Sequence, residues 1–200
     1  MLVKICGIRT IGAALASLEA GADFLGFVFA KSKRQVTVTE AIQINKQLPH
    51  TVKTVGVFVD TPISEINQMA GRVNFDYVQL HGHETVADCL NSQVPVIKAL
   101  SIRTESDLGQ VEDYLPVVDY LLIDGPEAGS GEVFDWGLID SIPSVREKLI
   151  LAGGLTPNNV IEAISQVQPV GVDVSSGVET GGIKDVQKIK QFILNVKGVR

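Results

Sequence analysis

Cysteine, tryptophan and histidine are all scarce: the 200 residues hold two Cys, one Trp and three His. Two cysteines, Cys6 and Cys89, make no disulfide framework, which suits a reducing compartment. Positive charge is short as well. Seventeen Lys and Arg stand against twenty-three Asp and Glu, a net charge of −6, so no nucleic-acid partner is expected, although a local patch for a small anion is compatible. No apolar run approaches the ~18–20 residues that span a bilayer. The first residues read as a strand, without the charged and apolar regions of a signal peptide. The expectation is therefore a cytoplasmic protein with no membrane partner. With 45% hydrophobic and 20% charged residues and a mean hydropathy of +0.23, the chain reads as one compact domain over 1–200.

Short apolar runs alternate with helix-like stretches. The first run, Leu2 to Gly7, puts Lys4 and Cys6 on one face and Val3 and Ile5 on the other. A helix is predicted over Ala13–Ala20, stopped by Gly21, then a strand over Phe24–Phe29 and a basic loop, Lys31 to Arg34. A helix over Thr39–Leu48, with Thr39 as N-cap, precedes a strand over Thr54–Val59. Thr61-Pro62 opens a helix to Ala70. Strands over Phe75–Leu80 and Val94–Ala99 flank a helix near Glu84–Leu90. The stretch Ser101–Leu115 has a poor helical pattern, so this fifth crossover is expected to be short or irregular. Strands follow over Val117–Ile123, Leu149–Leu151 and Gly171–Val174, with helices over Asn158–Val167 and Lys184–Val196. Eight strands, each gap long enough for a crossover, predict an α/β fold, a parallel (β/α)8 barrel. An open doubly wound sheet would want a glycine-rich turn after the first strand, and Cys6-Gly7-Ile8-Arg9 is not one.

In such a barrel, chemistry sits at the carboxyl ends of the strands. That rim collects Cys6, Arg34, Gln79, His81, Asp124, Gly153-Gly154 and Ser175-Ser176-Gly177. Glycines after strand seven and a Ser-Ser-Gly after strand eight fit the place where barrels bind phosphate. Cys6 and Asp124, on strands far apart around the ring, suit proton transfer to and from a substrate held between them. The thiol, ordinarily near pKa ~8.5, is expected to be tuned downward by Lys4, and Asp124 would need a raised value to serve as an acid. Strand eight adjoins strand one, so Asp173 is expected to pair with Lys4 inside the barrel. Cys89, beside Val86 and Leu90, reads as core.

Several motifs resemble the phosphoribosylanthranilate isomerase family. They are Val3-Lys4-Ile5-Cys6-Gly7-Ile8, Gly26-Phe27-Val28-Phe29 with Ser32-Lys33-Arg34, and Val78-Gln79-Leu80-His81-Gly82. Asp124 with Gly129-Ser130-Gly131, Phe134-Asp135-Trp136, Ala152-Gly153-Gly154-Leu155 and Asp173 through Glu179 complete the set in the family's order. The resemblance implies an Amadori rearrangement of N-(5-phosphoribosyl)anthranilate in tryptophan biosynthesis, with no metal or cofactor. It implies Cys6 as general base, Asp124 as general acid and Arg34 on the anthranilate carboxylate. Gln79, His81 and Asp173 are substrate-binding candidates, and the phosphate falls to Gly154, Ser176 and Gly177. A phosphosugar partner and a monomer or homodimer are the corresponding expectations. Three places depart from the pattern. Gly12-Ala13 stands where an acidic residue is usual, which weakens a helix start; Ala128 and Gly181-Gly182 alter loops.

Two other enzyme classes fit less well. A metal-dependent ketose-phosphate epimerase wants His and Asp ligands, and only His50, His81 and His83 exist. An indole-glycerol-phosphate synthase wants Lys and Glu at strand tips, where Cys and Asp stand. A non-catalytic phosphate-ligand binder would have no use for an opposed acid and base.

Overall fold

A computed structural model describes residues 1–125 and 135–199. Eight parallel strands close in sequence order into a barrel: β1 Leu2–Cys6, β2 Phe24–Val28, β3 Lys53–Phe58, β4 Tyr77–Leu80, β5 Val96–Ser101, β6 Tyr120–Asp124, β7 Leu149–Leu151 and β8 Gly171–Val174. The helices are α1 Ile11–Ala20, α2 Val38–Asn45, α3 Ile63–Val73, α4 Val86–Leu90, α5 Gly109–Tyr114, α6 Val160–Val167 and α7 Val186–Gly198. A small hairpin, β9 Glu179–Thr180 and β10 Ile183–Lys184, sits between β8 and α7.

Side-chain alternation divides the core in two. Outward residues such as Val3, Ile5, Val78, Leu80, Leu121, Ile123, Val172 and Val174 pack against the helices. The inward set closes the barrel floor with Phe24, Val55, Ile97, Ala99, Leu122, Ile150 and Ala152. Phe24 meets the edges of Tyr77 and Tyr120 at centroid distances of 5.5 and 5.9 Å. This filled floor leaves only the upper inward positions for chemistry.

Local signals explain most element ends. Gly21 is left-handed at φ 102° and its N–H returns to Leu18 O and Ser17 O, so α1 stops where the glycine predicts. The missing acidic residue at the head of α1 is made good by Thr10, whose side chain accepts from Ala13 N–H. The cap of α2 is Thr37, not Thr39. Glu40 stands three residues after Thr37 and closes a reciprocal capping box with it, which Thr39 could not form. The fifth crossover is irregular as expected: a 3-10 turn over Glu105–Leu108 leads into the six-residue α5. Gly129-Ser130-Gly131, Ala128 and Phe134 lie outside the described residues.

Candidate active site

β1 carries Lys4 and Cys6 inward, as alternation demands, and both are buried. Lys4 stands in register with Asp173 on β8, and its Nζ donates to Asp173 Oδ1 at 2.9 Å. The predicted pairing is present. A charge pair inside a barrel is tolerated because each partner answers the other's desolvation. Gly26 on β2 supplies the room: a Cβ there would stand 2.9 Å from Cys6 Sγ and 3.2 Å from Lys4 Nζ.

Cys6 does not have the lowered pKa that Lys4 alone would produce. Burial pushes the thiol up, Asp173 adds to the rise, and the ammonium groups of Lys4 and Lys184 only partly offset them. Lys4 itself would be lowered by burial, but the charges of Asp173 and Cys6 more than reverse this and hold it charged.

Across the mouth, Asp124 ends β6 and is 7% exposed. The Gly125 N–H donates to its Oδ1 at 2.8 Å. Its Oδ2 lies 3.5 Å from His81 Nε2. Gln79 and His81 share a face, and Gln79 Nε2 is 2.9 Å from His81 Nδ1. The amide nitrogen can only donate, so His81 Nδ1 is the acceptor in this contact and Nε2 is the ring atom that faces Asp124. Gln79 Oε1 and His81 Nε2 are buried with no hydrogen-bond partner among the described residues. Polar atoms so placed call for a ligand or water to complete them.

Between Asp124 and β8 lies a small cavity of about 40 Å³ bounded by Gly153, Gly154, Ser175 and Ser176. Gly153 and Gly154 are both left-handed, at φ 81° and 62°, which few other residues tolerate. Asn159 fixes this loop, its Nδ2 donating to Gly154 O at 3.0 Å. Gly177 presses against the Leu155 carbonyl so closely that a Cβ would strike it. The loops after β7 and β8 are thereby brought together as the sequence suggested.

A larger groove of about 300 Å³ opens beside Gly7 and is walled by Arg9, Arg34, Glu40, Glu179 and Lys184. Arg34 is not a loose basic residue of its loop. Its Nε and Nη2 donate to the two oxygens of Glu179 at 2.7 and 3.0 Å, leaving Nη1 without a partner among the described residues. Burial would raise Glu179, but hydrogen bonds from Arg34 and Lys184 outweigh it and hold the carboxyl at about 2. Lys184 Nζ also donates to Ser175 O at 2.8 Å, and Ser175 Oγ donates to Cys6 O at 3.1 Å. One network thus runs from Arg34 to the backbone of Cys6.

The sequence pattern gives no role to Glu179, although it closes one of the motifs, to Lys184, or to a second buried pair, Lys98 with Glu84. Lys98 faces outward from β5, and its Nζ donates to Glu84 Oε2 at 2.9 Å and to the carbonyls of Leu80 and Gly82. Glu84 in turn accepts from the N–H groups of Asp60 and Gly82. The pair pins the loop that follows His81. A lysine amid Val96-Ile97 and Ala99-Leu100 was the available signal, since a buried lysine needs an anion. Cys89 is core, 4% exposed, with burial pushing its thiol to about 11. No group of three metal-ligating side chains occurs among the described residues, and none of their helices is long and apolar enough to cross a membrane.

The profile of N-(5'phosphoribosyl)anthranilate (PRA) isomerase matches residues 3–195. An N-(5'-phosphoribosyl)anthranilate isomerase of Oceanobacillus iheyensis is 48% identical over 98% of this chain and 97% of its own. That of Listeria monocytogenes is 47% identical over the full length of both. The phosphoribosyl anthranilate isomerase of Thermotoga maritima superposes with a TM-score of 0.93 at 43% identity, covering both chains completely. A further solved isomerase, at TM-score 0.91 and 42% identity over the whole of both chains, holds reduced 1-(o-carboxyphenylamino)-1-deoxyribulose 5-phosphate. With its motifs on the rim of a closed eight-stranded barrel and this likeness spanning its length, the chain belongs to the phosphoribosylanthranilate isomerase family.

Proposed function

We propose that Cys6 and Asp124 carry the two proton transfers of the family's reaction, the conversion of N-(5'-phosphoribosyl)anthranilate to 1-(2-carboxyphenylamino)-1-deoxyribulose 5-phosphate. The observation that supports this most is the placement of an inward thiol on β1 and an inward carboxyl on β6, with the glycine-lined cavity reaching Asp124. Asp124 gives a proton to the ring oxygen as the bond from that oxygen to C1 breaks, and the anthranilate nitrogen supplies the electron pair of the resulting Schiff base. The Cys6 thiolate then takes the C2 proton. The electrons of that bond pass to C1–C2, giving an enolamine that gains a proton at C1 and loses the one on its C2 hydroxyl to become the ketone. No redox partner enters, since C1 is reduced by what C2 gives up.

Backbone N–H groups at Gly154, Ser176 and Gly177 are the proposed phosphate cradle, close to the left-handed Gly153-Gly154 turn. Arg34, aimed by Glu179, offers Nη1 to the anthranilate carboxylate. Gln79 and His81 bring their uncompleted polar atoms to the sugar, and Asp173 acts from below through Lys4. A phosphosugar ligand, a cytoplasmic setting and either a monomer or a homodimer complete the reading.

The decay of anthranilate fluorescence with fresh substrate tests it. Cys6→Ser and Asp124→Asn are each expected to slow turnover by at least about a hundredfold, with product-analogue affinity largely kept. Near-normal turnover in either variant removes that residue from the mechanism.

A further inference from the structure

Beneath Cys6 the barrel holds an ammonium and a carboxylate that no step above consumes. Lys4 Nζ is completely buried, and its hydrogen bond to Asp173 Oδ1 spans the β1–β8 seam at 2.9 Å. The same ammonium and the thiol both abut the bare face of Gly26, within 3.2 Å of where a Cβ would be. A strand interior has no solvent to spread these charges, so each is felt by the others far more than at the surface.

We propose that Lys4 and Asp173 are positioning residues that set, in opposite directions, how readily Cys6 releases its proton. Lys4 Nζ donates to Asp173 Oδ1, and its charge also acts on the Cys6 sulfur beside it. Asp173 already holds one N–H, and the thiolate is the second anion of the site. Asp173 therefore competes with the thiolate for the same cation and also repels it directly. Physical chemistry fixes the signs: removing the cation makes the thiolate harder to form, and removing the carboxylate makes it easier.

The other charged groups facing Cys6 stand at the rim. Lys184 on β10 favours the thiolate, and Arg34 in the loop after β2 adds its charge from the same side. Both are already engaged by Glu179, through Nζ at 2.9 Å and through the guanidinium fork. The inner pair is thus left as the part of the field that the sequence can alter without opening the rim. Burial sets the thiol high, and the balance of Lys4 against Asp173 decides how high.

The inference rests on Cys6 being the base, but its test does not. In a Cys89→Ala background, only Cys6 can be alkylated, and the pH dependence of iodoacetamide labelling reads its ionisation without any turnover. Lys4→Met is expected to move that curve to higher pH by at least about 1 unit. Asp173→Asn is expected to move it lower by a similar amount, and Lys4→Arg to leave it close to the parent. Should Lys4→Met strand the Asp173 carboxylate and fail to fold, the Lys4→Met/Asp173→Asn double variant is compared with Asp173→Asn. The same upward displacement is then expected with no buried anion left unpaired. The acid limb of kcat/KM should follow each curve.

Curves that coincide, or that move in one direction for both single variants, overturn the inference, because a merely structural pair would not produce opposite signs. If instead Cys6→Ser keeps its turnover while the labelling curves separate as stated, the base assignment fails and the coupling of the three groups stands.

Discussion

Glu179 holds Arg34 with two parallel N–H···O bonds, 2.7 and 3.0 Å long, across 145 residues of chain. The fork joins the loop after β2 to the hairpin after β8, on either side of the β1 end that carries Cys6. Its electrostatics predict a stability profile. Glu179 ionises near 2 in the folded protein and near 4.5 when unfolded. A depressed folded value gives stability that is present above the unfolded value and lost as the pH falls from there toward the folded one. Screening at the rim holds the effect to about 1–2 kcal/mol. Denaturant melts between pH 5 and pH 2 should therefore decline more steeply for the wild type than for Glu179→Gln. Parallel declines would show that the fork does not couple to folding.

The raised thiol makes a second prediction. Because burial lifts Cys6 above its ordinary value, the thiolate fraction at neutral pH is smaller than that of a free cysteine. If the thiolate is the base, kcat/KM should go on rising beyond neutrality rather than levelling off below it. A profile already flat at pH 7 would show that no raised thiol limits the reaction.

Lys98 and Glu84 predict an effect on folding with a smaller one on chemistry. Their side chains are 1% and 4% exposed, so Lys98→Met leaves a carboxylate buried among groups arranged for a cation. Breaking such a pair costs about 3–5 kcal/mol. At roughly 2–4 °C per kcal/mol for a chain this size, the melting temperature should fall by about 6–20 °C. The double variant Lys98→Met/Glu84→Gln should recover part of that loss, and no recovery would show that the charge was not the cause.

Much of this molecule is legible from its sequence because parallel strands write two signals at once. Val3, Ile5, Val172 and Val174 declare the outer face, and the residues between them, Lys4, Cys6 and Asp173, declare the inner one. Topology then pairs Lys4 with Asp173, since closure puts β8 beside β1. What pattern does not carry is the outcome of opposing fields. Lys4 beside Cys6 suggests a lowered thiol pKa, but desolvation is a property of the closed barrel and prevails. Arg34 is likewise legible as an anion ligand, whereas its fork with Glu179 depends on two loops far apart in sequence meeting at the rim. The cap of α2 lies at Thr37 rather than Thr39 for a local reason: of the two competing threonines, only Thr37 stands where Glu40 can close a capping box.

The phosphate cradle depends on one close approach. Gly177 lies against the Leu155 carbonyl, and a Cβ added there would strike that oxygen and come within 3.1 Å of Thr156 Cα. Both obstacles are backbone, so no side chain can swing aside to make room. Gly177→Ala must push the loop after β8 away from the loop after β7 and widen the cavity between Gly154 and Ser176. Overpacking of this kind costs about 1–3 kcal/mol, and a comparable loss of anion affinity is a factor of about five to a hundred and fifty. Inorganic phosphate used as a competitive inhibitor should accordingly show a Ki at least about fivefold higher against Gly177→Ala. KM should rise with it, and kcat should change less because Cys6 and Asp124 stand on β1 and β6. An unaltered Ki would mean that the two loops do not share the anion, and the proposed phosphate site would have to be sought elsewhere on the rim.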